Sequence, residues 1–181
     1  MQKPRLSLDY YYVTRSTLIA SPVDDDRKTR VAPKLSYKAH IFEDTSLFVF
    51  AQVVWGVEGE TPYFIDSEVN GSFQVDLTEF QGKFTAEQVR HIFANMVVNA
   101  AQILHGGLRG HVSSITAVGP HGVWYLPTEI ITPADVQLFV SDEEALIKSL
   151  AKPPRKRKAT KQQAAEPEKA KGEKKAKKKP Q

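Results

Sequence analysis

The chain has 181 residues, of which 41% are apolar and none is cysteine. This length and apolar content suit one domain with a substantial core, and the lack of cysteine excludes disulfides and thiolate metal sites. No apolar run reaches the roughly 18–20 residues that a membrane-spanning helix needs, and the first residues lead into a strand pattern rather than a signal peptide. We therefore expect a protein of the reducing cytoplasm.

The net charge of +4 combines two oppositely charged parts of the chain. From Lys152 onward there are thirteen basic and three acidic residues, so this segment carries +10 and the rest of the chain carries −6. The segment has no large apolar side chain whose burial could offset the entropy lost on ordering. We therefore expect one folded domain over residues 1–150 and a disordered lysine-rich tail over 151–181. Such a tail could contact nucleic acid, an anionic membrane or an acidic partner, or only keep the protein soluble.

Alternating apolar residues and turn signals predict four strands, over residues 5–20, 35–42, 47–57 and 63–77. In the first strand, Leu6, Leu8, Tyr10 and Tyr12 are expected to share one side, because successive side chains alternate across a strand. The third strand is apolar at both parities. Such a strand is typical of the centre of a sheet, or of a sheet whose second face is covered by another chain.

A long amphipathic helix is predicted from Thr85. Thr85 and Gln88 have the spacing of a capping box, and a broad apolar stripe follows them. Gly106-Gly107 is predicted to end or break this helix, with a second helical piece over residues 108–118.

A last helix is predicted from Thr132-Pro133, which reads as an N-cap followed by proline at the first helical position. Its apolar side runs on to Leu150, with Ser141-Asp142 as a possible interruption. The predicted fold class is therefore α+β, with a four-stranded antiparallel sheet packed against a long interrupted helix and a C-terminal helix.

The sequence shows no arrangement of residues suited to catalysis. His105 and His111 are six residues apart, outside the one-turn spacing that places two metal ligands on one helix face. The glycine-rich run 106–110 lacks the Lys-Ser/Thr ending of a phosphate-binding loop. Ser113 and Ser114 do not lie in a nucleophile turn. We therefore expect no catalytic residue, no metal, no cofactor and no enzymatic activity.

Aromatic side chains are more numerous on the predicted strands than one small sheet can bury. The surplus predicts either an oligomer interface or an exposed patch, and contiguous exposed patches mark binding sites. The candidates for contact with a polypeptide ligand are Tyr10, Tyr12, Phe48, Phe50, Trp55, Trp124 and Tyr125.

Four pieces of the sequence occur in the order found in one known family. They are Glu68-x-x-Gly71-x-Phe73, the helix ending Ile103-Leu104 with Leu108-Arg109, the continuation Val112-Ser113-Ser114-Ile115-Thr116, and the loop from Gly119-Pro120 to Leu126-Pro127. Over about residues 5 to 140 the chain resembles the SecB family, whose members are cytosolic chaperones that hold unfolded polypeptides.

The resemblance implies a SecB-like domain and a homotetramer built as a dimer of dimers. On this basis the oligomer interface is expected around Ile92, Phe93, Met96 and Val97. The clients implied are either secretory preproteins passed to the secretion motor or an antitoxin held beside its toxin.

Two functional hypotheses follow. The first is an ATP-independent holdase that buries the apolar side chains of unfolded clients in its grooves and pairs with extended client segments at open strand edges. The alternative is an oligomeric nucleic-acid-associated protein that contacts phosphates through its basic tail. The acidic charge of residues 1–151 favours the holdase over this alternative, and a small-molecule-binding or enzymatic domain is a third, weaker reading.

Overall fold

The structure is a computed structural model that describes residues 5–22, 31–77 and 82–151. The elements follow in the order β1 (Arg5–Ala20), β2 (Lys34–Ile41), β3 (Ser46–Trp55), β4 (Tyr63–Asp76), α1 (Ala86–Ala117), a 3-10 turn (Pro133–Asp135), β5 (Val136–Val140) and α2 (Glu143–Leu150). Apart from Ala151, the lysine-rich tail lies outside the described residues. Its disorder, and the nucleic-acid binding that depends on it, therefore stay predictions.

The strands form one mixed sheet of five strands in the order β1-β4-β3-β2-β5. The first four pair antiparallel, and β5 pairs parallel to β2. The α+β class and the four predicted strands are confirmed, the strands to within two residues at each end. The prediction of a four-stranded, wholly antiparallel sheet is wrong, because β5 extends the sheet beyond β2.

One face of the sheet forms the core with α1. In β3, which is the middle strand, every second residue from Leu47 to Trp55 is buried, whereas those between them keep part of their surface exposed. The same alternation holds along β2 and most of β4. We call the buried side the helix face and the other side the open face.

The helix packs most closely where β4 has no side chain. A β-carbon built on Gly71 would lie 2.8 Å from Cδ2 of Leu104 and 3.0 Å from Cε2 of Phe73. All three residues are buried. Gly71 therefore allows α1 to lie close to the sheet, and any larger residue at this position would push the helix away.

A bulge in β1 changes which side chains share a face. Leu8 is opposite Phe73, but the next paired residue is Tyr10, opposite Ser72, so the register shifts by one residue between them. Since one extra residue reverses the alternation, Tyr10 and Tyr12 lie on the open face, whereas Leu6 and Leu8 lie on the helix face. The prediction that these four residues share one side is therefore wrong.

The long helix does not break at its glycine pair. The capping box of Thr85 and Gln88 is confirmed, but α1 then runs for 32 residues through Gly106 and Gly107. Each interior glycine disfavours a helix by about 1 kcal/mol relative to alanine. The buried side chains of Leu104 and Leu108, on either side of the pair, anchor the helix to the sheet and outweigh this preference.

Within the described residues, no helix is long and apolar enough to cross a bilayer.

The predicted last helix is in fact three elements. Thr132 does stand at a helical start, where its backbone N–H and its hydroxyl donate hydrogen bonds of 2.8 and 2.7 Å to the carboxylate of Asp135. That helical turn, however, lasts only three residues. The chain then pairs with β2 as β5, and a new helix begins after Asp142, whose Oδ1 accepts from the Ala145 N–H at 2.8 Å. The continuous helix from Thr132 is therefore wrong, while an interruption at Ser141-Asp142 is confirmed.

Candidate binding surface on the open face

The open face carries side chains that the strand register aligns across the whole sheet. Tyr10 of β1 is opposite Ser72 of β4, Ser72 is opposite Phe48 of β3, Phe48 is opposite His40 of β2, and His40 is opposite Phe139 of β5. Four of the five members are rings. We call this line of residues the aromatic row.

A second row lies beside the first and carries Tyr12, Asn70, Phe50 and Lys38. The two tyrosines stack with ring centroids 6.1 Å apart, and the two phenylalanines meet edge to face at 5.0 Å. The tyrosine pair on β1 and the phenylalanine pair on β3 lie on either side of β4. Because neighbouring strands are about 4.8 Å apart, the two pairs are separated by about twice that distance. The tyrosine–phenylalanine separation therefore suits an extended polypeptide.

These rings are accessible. Tyr10 is 55% exposed and Tyr12 44% exposed, while Phe48 and Phe50 are partly exposed. Within the described residues, both helices lie on the other face of the sheet. Four of the seven side chains that the sequence nominated as client contacts are thus brought together on one open surface.

Next to the two rows, the open face carries a network of charge pairs. Arg15 contacts both Asp66 and Glu68 at 3.2 Å, and Gln52 donates to Asp66 at 3.0 Å. Glu68 also accepts a hydrogen bond from the Thr14 hydroxyl at 2.7 Å. This network occupies its own partners and offers little apolar surface, so it borders the two rows on one side. Beyond it, the open face again carries partly exposed apolar side chains, those of Ile19, Val54 and Phe64.

The two tryptophans lie elsewhere. Trp55 and Trp124 are buried on the helix face with ring centroids 4.7 Å apart, and Nε1 of Trp55 donates to the Val31 carbonyl at 2.6 Å. Tyr125 is 69% exposed on the loop after α1, away from the aromatic row. The structure therefore does not bring these three candidates together with the four on the sheet.

The residues expected at an oligomer interface are mostly covered within one chain. Phe93, Met96 and Val97 are buried in the core, and Ile92 is partly buried. Farther along the outer side of α1, Ile103 is 47% exposed.

At the β2–β5 end of the open face, the rings of His40, Phe42 and Phe139 did not figure among the predicted contacts. Phe42 follows the last residue of β2 and stacks on His40 with ring centroids 4.3 Å apart. Phe139 lies in a segment predicted as helix. A β-rich composition over residues 136–140 was the signal that could have placed Phe139 on a strand.

A separate apolar groove of about 270 Å³ lies on the helix face at the β5 edge of the sheet. Its walls come from α1, β5 and α2, and include Phe93, Leu138 and Ile147. It opens beside Leu138, which is 41% exposed.

The histidines near the two surfaces make hydrogen bonds within the fold, and Nε2 of His40 lies 2.7 Å from the Ser141 hydroxyl. Across the described ranges, no three His, Asp or Glu side chains come close enough to hold a metal ion. The buried histidine, His105, has both ring nitrogens engaged, by the Tyr37 hydroxyl at 2.8 Å and the Pro127 carbonyl at 3.0 Å. Burial, reinforced by the charges of Glu129 and Asp135, raises the pKa of Tyr37 and keeps its hydroxyl protonated. These groups fasten β2 and a loop to α1, which is a structural role.

Comparison with known proteins gives a likeness of fold. The sequence matches no protein-family model and no curated protein. Among solved structures, it is similar to the SecB-like chaperone Rv1957 of Mycobacterium tuberculosis, solved in complex with a ChAD peptide from the antitoxin Rv1956 HigA1. That match has 14% identity and a TM-score of 0.50, and covers 69% of this chain and 90% of the other.

A protein of unknown function from Streptococcus agalactiae is also similar, with 14% identity and a TM-score of 0.40, over 70% of this chain and 100% of the other. At these identities the likeness concerns architecture alone. On the strength of the Mycobacterium tuberculosis structure, this chain has a SecB-like fold.

Proposed function

We propose that this protein is an ATP-independent holdase that binds unfolded polypeptides on the open face of its sheet. The observation that carries the proposal is the side-by-side placement of Tyr10, Tyr12, Phe48 and Phe50, accessible and uncovered by any described element. Burial of apolar surface gives about 25 cal/mol per Å² without requiring a particular client sequence. A chaperone for many unfolded chains needs that tolerance.

The binding follows from ordinary hydrophobic contact. An unfolded client lays its apolar side chains between the tyrosine and phenylalanine pairs, while the Arg15–Asp66–Glu68 network limits the apolar surface on one side. Binding and release involve no chemical step. A client is released when its own folding buries the apolar side chains that it placed on the open face. Tyr125, on its exposed loop, is a further contact for long clients.

Assembly strengthens such weak contacts. In a cytoplasmic homotetramer arranged as a dimer of dimers through α1, several open faces would hold one client at once and raise its effective concentration at each face. Ile92 and the exposed side of α1 near Ile103 offer the surface for this assembly, with Phe93, Met96 and Val97 supporting the helix from within. Light scattering on the purified protein tests the tetramer.

Two client classes fit the proposal, namely secretory preproteins and an antitoxin. The SecB-like chaperone of Mycobacterium tuberculosis was solved with an antitoxin peptide, which supports a polypeptide ligand for this fold. The net charge of −6 on residues 1–151 favours clients with basic segments.

The test is suppression of aggregation of chemically denatured citrate synthase at stoichiometric amounts of the protein. The variant pair Tyr10→Ser and Phe48→Ser removes two rings of the aromatic row and should weaken client binding about tenfold, the effect of losing roughly 1.4 kcal/mol of apolar burial. Ile130→Ser is the matched control, because Ile130 is 89% exposed on a loop outside the row. Tyr125→Ser measures whether the loop contributes.

Folded wild-type protein that leaves aggregation unchanged would remove the proposal. Equal loss of protection in the row variants and in Ile130→Ser would show that the open face has no special part in binding.

A further inference from the structure

Within the described residues, the edge of the sheet at β5 leaves backbone groups without a strand partner. The Ser141 N–H donates to the Ile41 carbonyl at 3.1 Å, and the register pairs Ile41 with Val140. In a strand, successive N–H groups point to opposite sides, so the N–H of Phe139 also points to β2, whereas those of Leu138 and Val140 point away from it. Among the described residues no strand pairs with this far side of β5.

Both faces of this edge are apolar. Leu138 is on the helix face beside the groove of about 270 Å³, and it remains 41% exposed because nothing described covers it there. Phe139, 46% exposed, is on the open face and ends the aromatic row. A strand placed along β5 would therefore alternately put one side chain into the groove, near Ile147, and the next beside Phe139.

Negative charge lies at both ends of this short strand. Asp135 immediately precedes it, and Asp142, Glu143 and Glu144 follow it after Ser141. Hydrogen bonds from Thr132 hold the pKa of Asp135 below its usual value, so its carboxylate stays charged. Arg90 pairs with Glu143 at 2.6 Å, which leaves an excess of negative charge around the edge. Basic residues at the ends of an incoming segment would meet these carboxylates.

We propose that an extended client segment, apolar in alternation and basic at its ends, binds as a sixth strand along the far side of β5. The proposal rests on the holdase function and adds backbone hydrogen bonds to a surface that otherwise binds side chains alone. Backbone pairing gives affinity without sequence preference. The groove and Phe139 add apolar contacts for the side chains on either face of the bound segment. Natural proteins usually protect such open edges, so an edge that no described element covers, flanked by apolar surface, is suited to binding a strand.

The probe is a fluorescein-labelled peptide with an alternating Val–Thr core and lysines at both ends. Its affinity is measured by fluorescence anisotropy, and hydrogen exchange is followed at single amides. Binding should slow exchange at Leu138 and Val140 and leave the amides that already face β2 unchanged. A peptide with glutamates in place of the lysines should bind several-fold more weakly, as expected for the loss of exposed charge pairs.

The decisive variant is Leu138→Pro. Proline removes an N–H that points away from β2, so it is tolerated at this edge position and β5 keeps its pairing. Peptide affinity should fall about tenfold below that of the matched control Leu138→Ala, which loses the same side chain but keeps the N–H. Circular dichroism and urea unfolding establish that both variants remain folded.

The outcomes separate this proposal from the holdase function. Equal affinity in Leu138→Pro and Leu138→Ala, with aggregation still suppressed, would overturn strand addition and leave the holdase intact. Faster exchange at Phe139 on peptide binding would mean that the client displaces β5 from β2, which also overturns it. Equal affinity for the lysine and glutamate peptides would overturn the preference for a segment with basic ends. Loss of aggregation suppression in the wild-type protein would instead refute the holdase itself.

Discussion

The hydroxyl of Tyr37 donates a hydrogen bond of 2.8 Å to Nδ1 of His105, and both side chains are buried. The direction follows from the other ring nitrogen. Nε2 lies 3.0 Å from the Pro127 carbonyl, which can only accept, so Nε2 carries the proton and Nδ1 is the acceptor. One histidine thus joins the sheet, the long helix and the loop that follows it.

Tyr37→Phe should lower the free energy of unfolding by about 1–3 kcal/mol, because it leaves Nδ1 of a buried histidine without a donor. Urea unfolding followed by the fluorescence of the two buried tryptophans measures the change. Tyr125→Phe, the same change at a side chain that is 69% exposed, should stay within about 0.5 kcal/mol. Equal effects of the two changes would contradict the role assigned to the Tyr37–His105 bond.

Gly71→Ala should destabilise the protein by about 1–3 kcal/mol, because the new methyl group would overlap Leu104 and force α1 away from the sheet. The measurement is again the urea midpoint. Ser72→Ala is the control on the neighbouring residue of the same strand, whose side chain points to the open face. An unchanged midpoint in Gly71→Ala would show that the helix can shift at little cost.

Local patterns in the sequence predict most of the elements, but they do not predict the faces of β1. Alternation, turn residues and the Thr85 cap are local signals, and they locate β1 to β4 and the start of α1. The bulge between Leu8 and Tyr10 has no such signal, because it depends on how β1 pairs with β4. Tyr10 and Tyr12 therefore do share one face, but Leu6 and Leu8, predicted to lie beside them, are on the other.

Long-range contacts explain the other differences. Residues 136–140 have a β-rich composition, but they become a strand because the edge of β2 is available to pair with them, and that edge lies about 100 residues earlier in the chain. Trp55 was nominated because its strand is apolar on both sides, yet it falls on the buried parity with Trp124. Which rings of a two-sided strand stay exposed is decided by the face that α1 covers.

Gly106→Ala should stabilise the protein by roughly 0.5–1 kcal/mol, because alanine favours a helix interior more than glycine does and the position has open space around it. Gly119→Ala is the contrasting change, since a β-carbon there would overlap the Tyr63 hydroxyl, and it should destabilise. Thermal unfolding at two protein concentrations measures both. A concentration-dependent loss of stability in Gly106→Ala would contradict the prediction and place another subunit against this side of α1.

Stability should fall as the pH drops below about 6.5, in part because of His111. Nε2 of His111 lies 2.9 Å from the Ser16 hydroxyl, and burial lowers the pKa of its ring below the ordinary value. Below that ordinary value the unfolded chain takes up a proton that the folded protein resists, so acid favours unfolding, while above it this histidine has no effect.

Urea midpoints at pH 7.5 and pH 5.5 should therefore differ less in His111→Gln than in the wild-type protein. His91→Gln, at an exposed histidine of the same helix, controls for the loss of an imidazole. Identical pH dependence in all three proteins would show that the burial of His111 does not resist protonation. A smaller acid effect in His111→Gln alone would show that the packing of α1 against β1 excludes the charged ring.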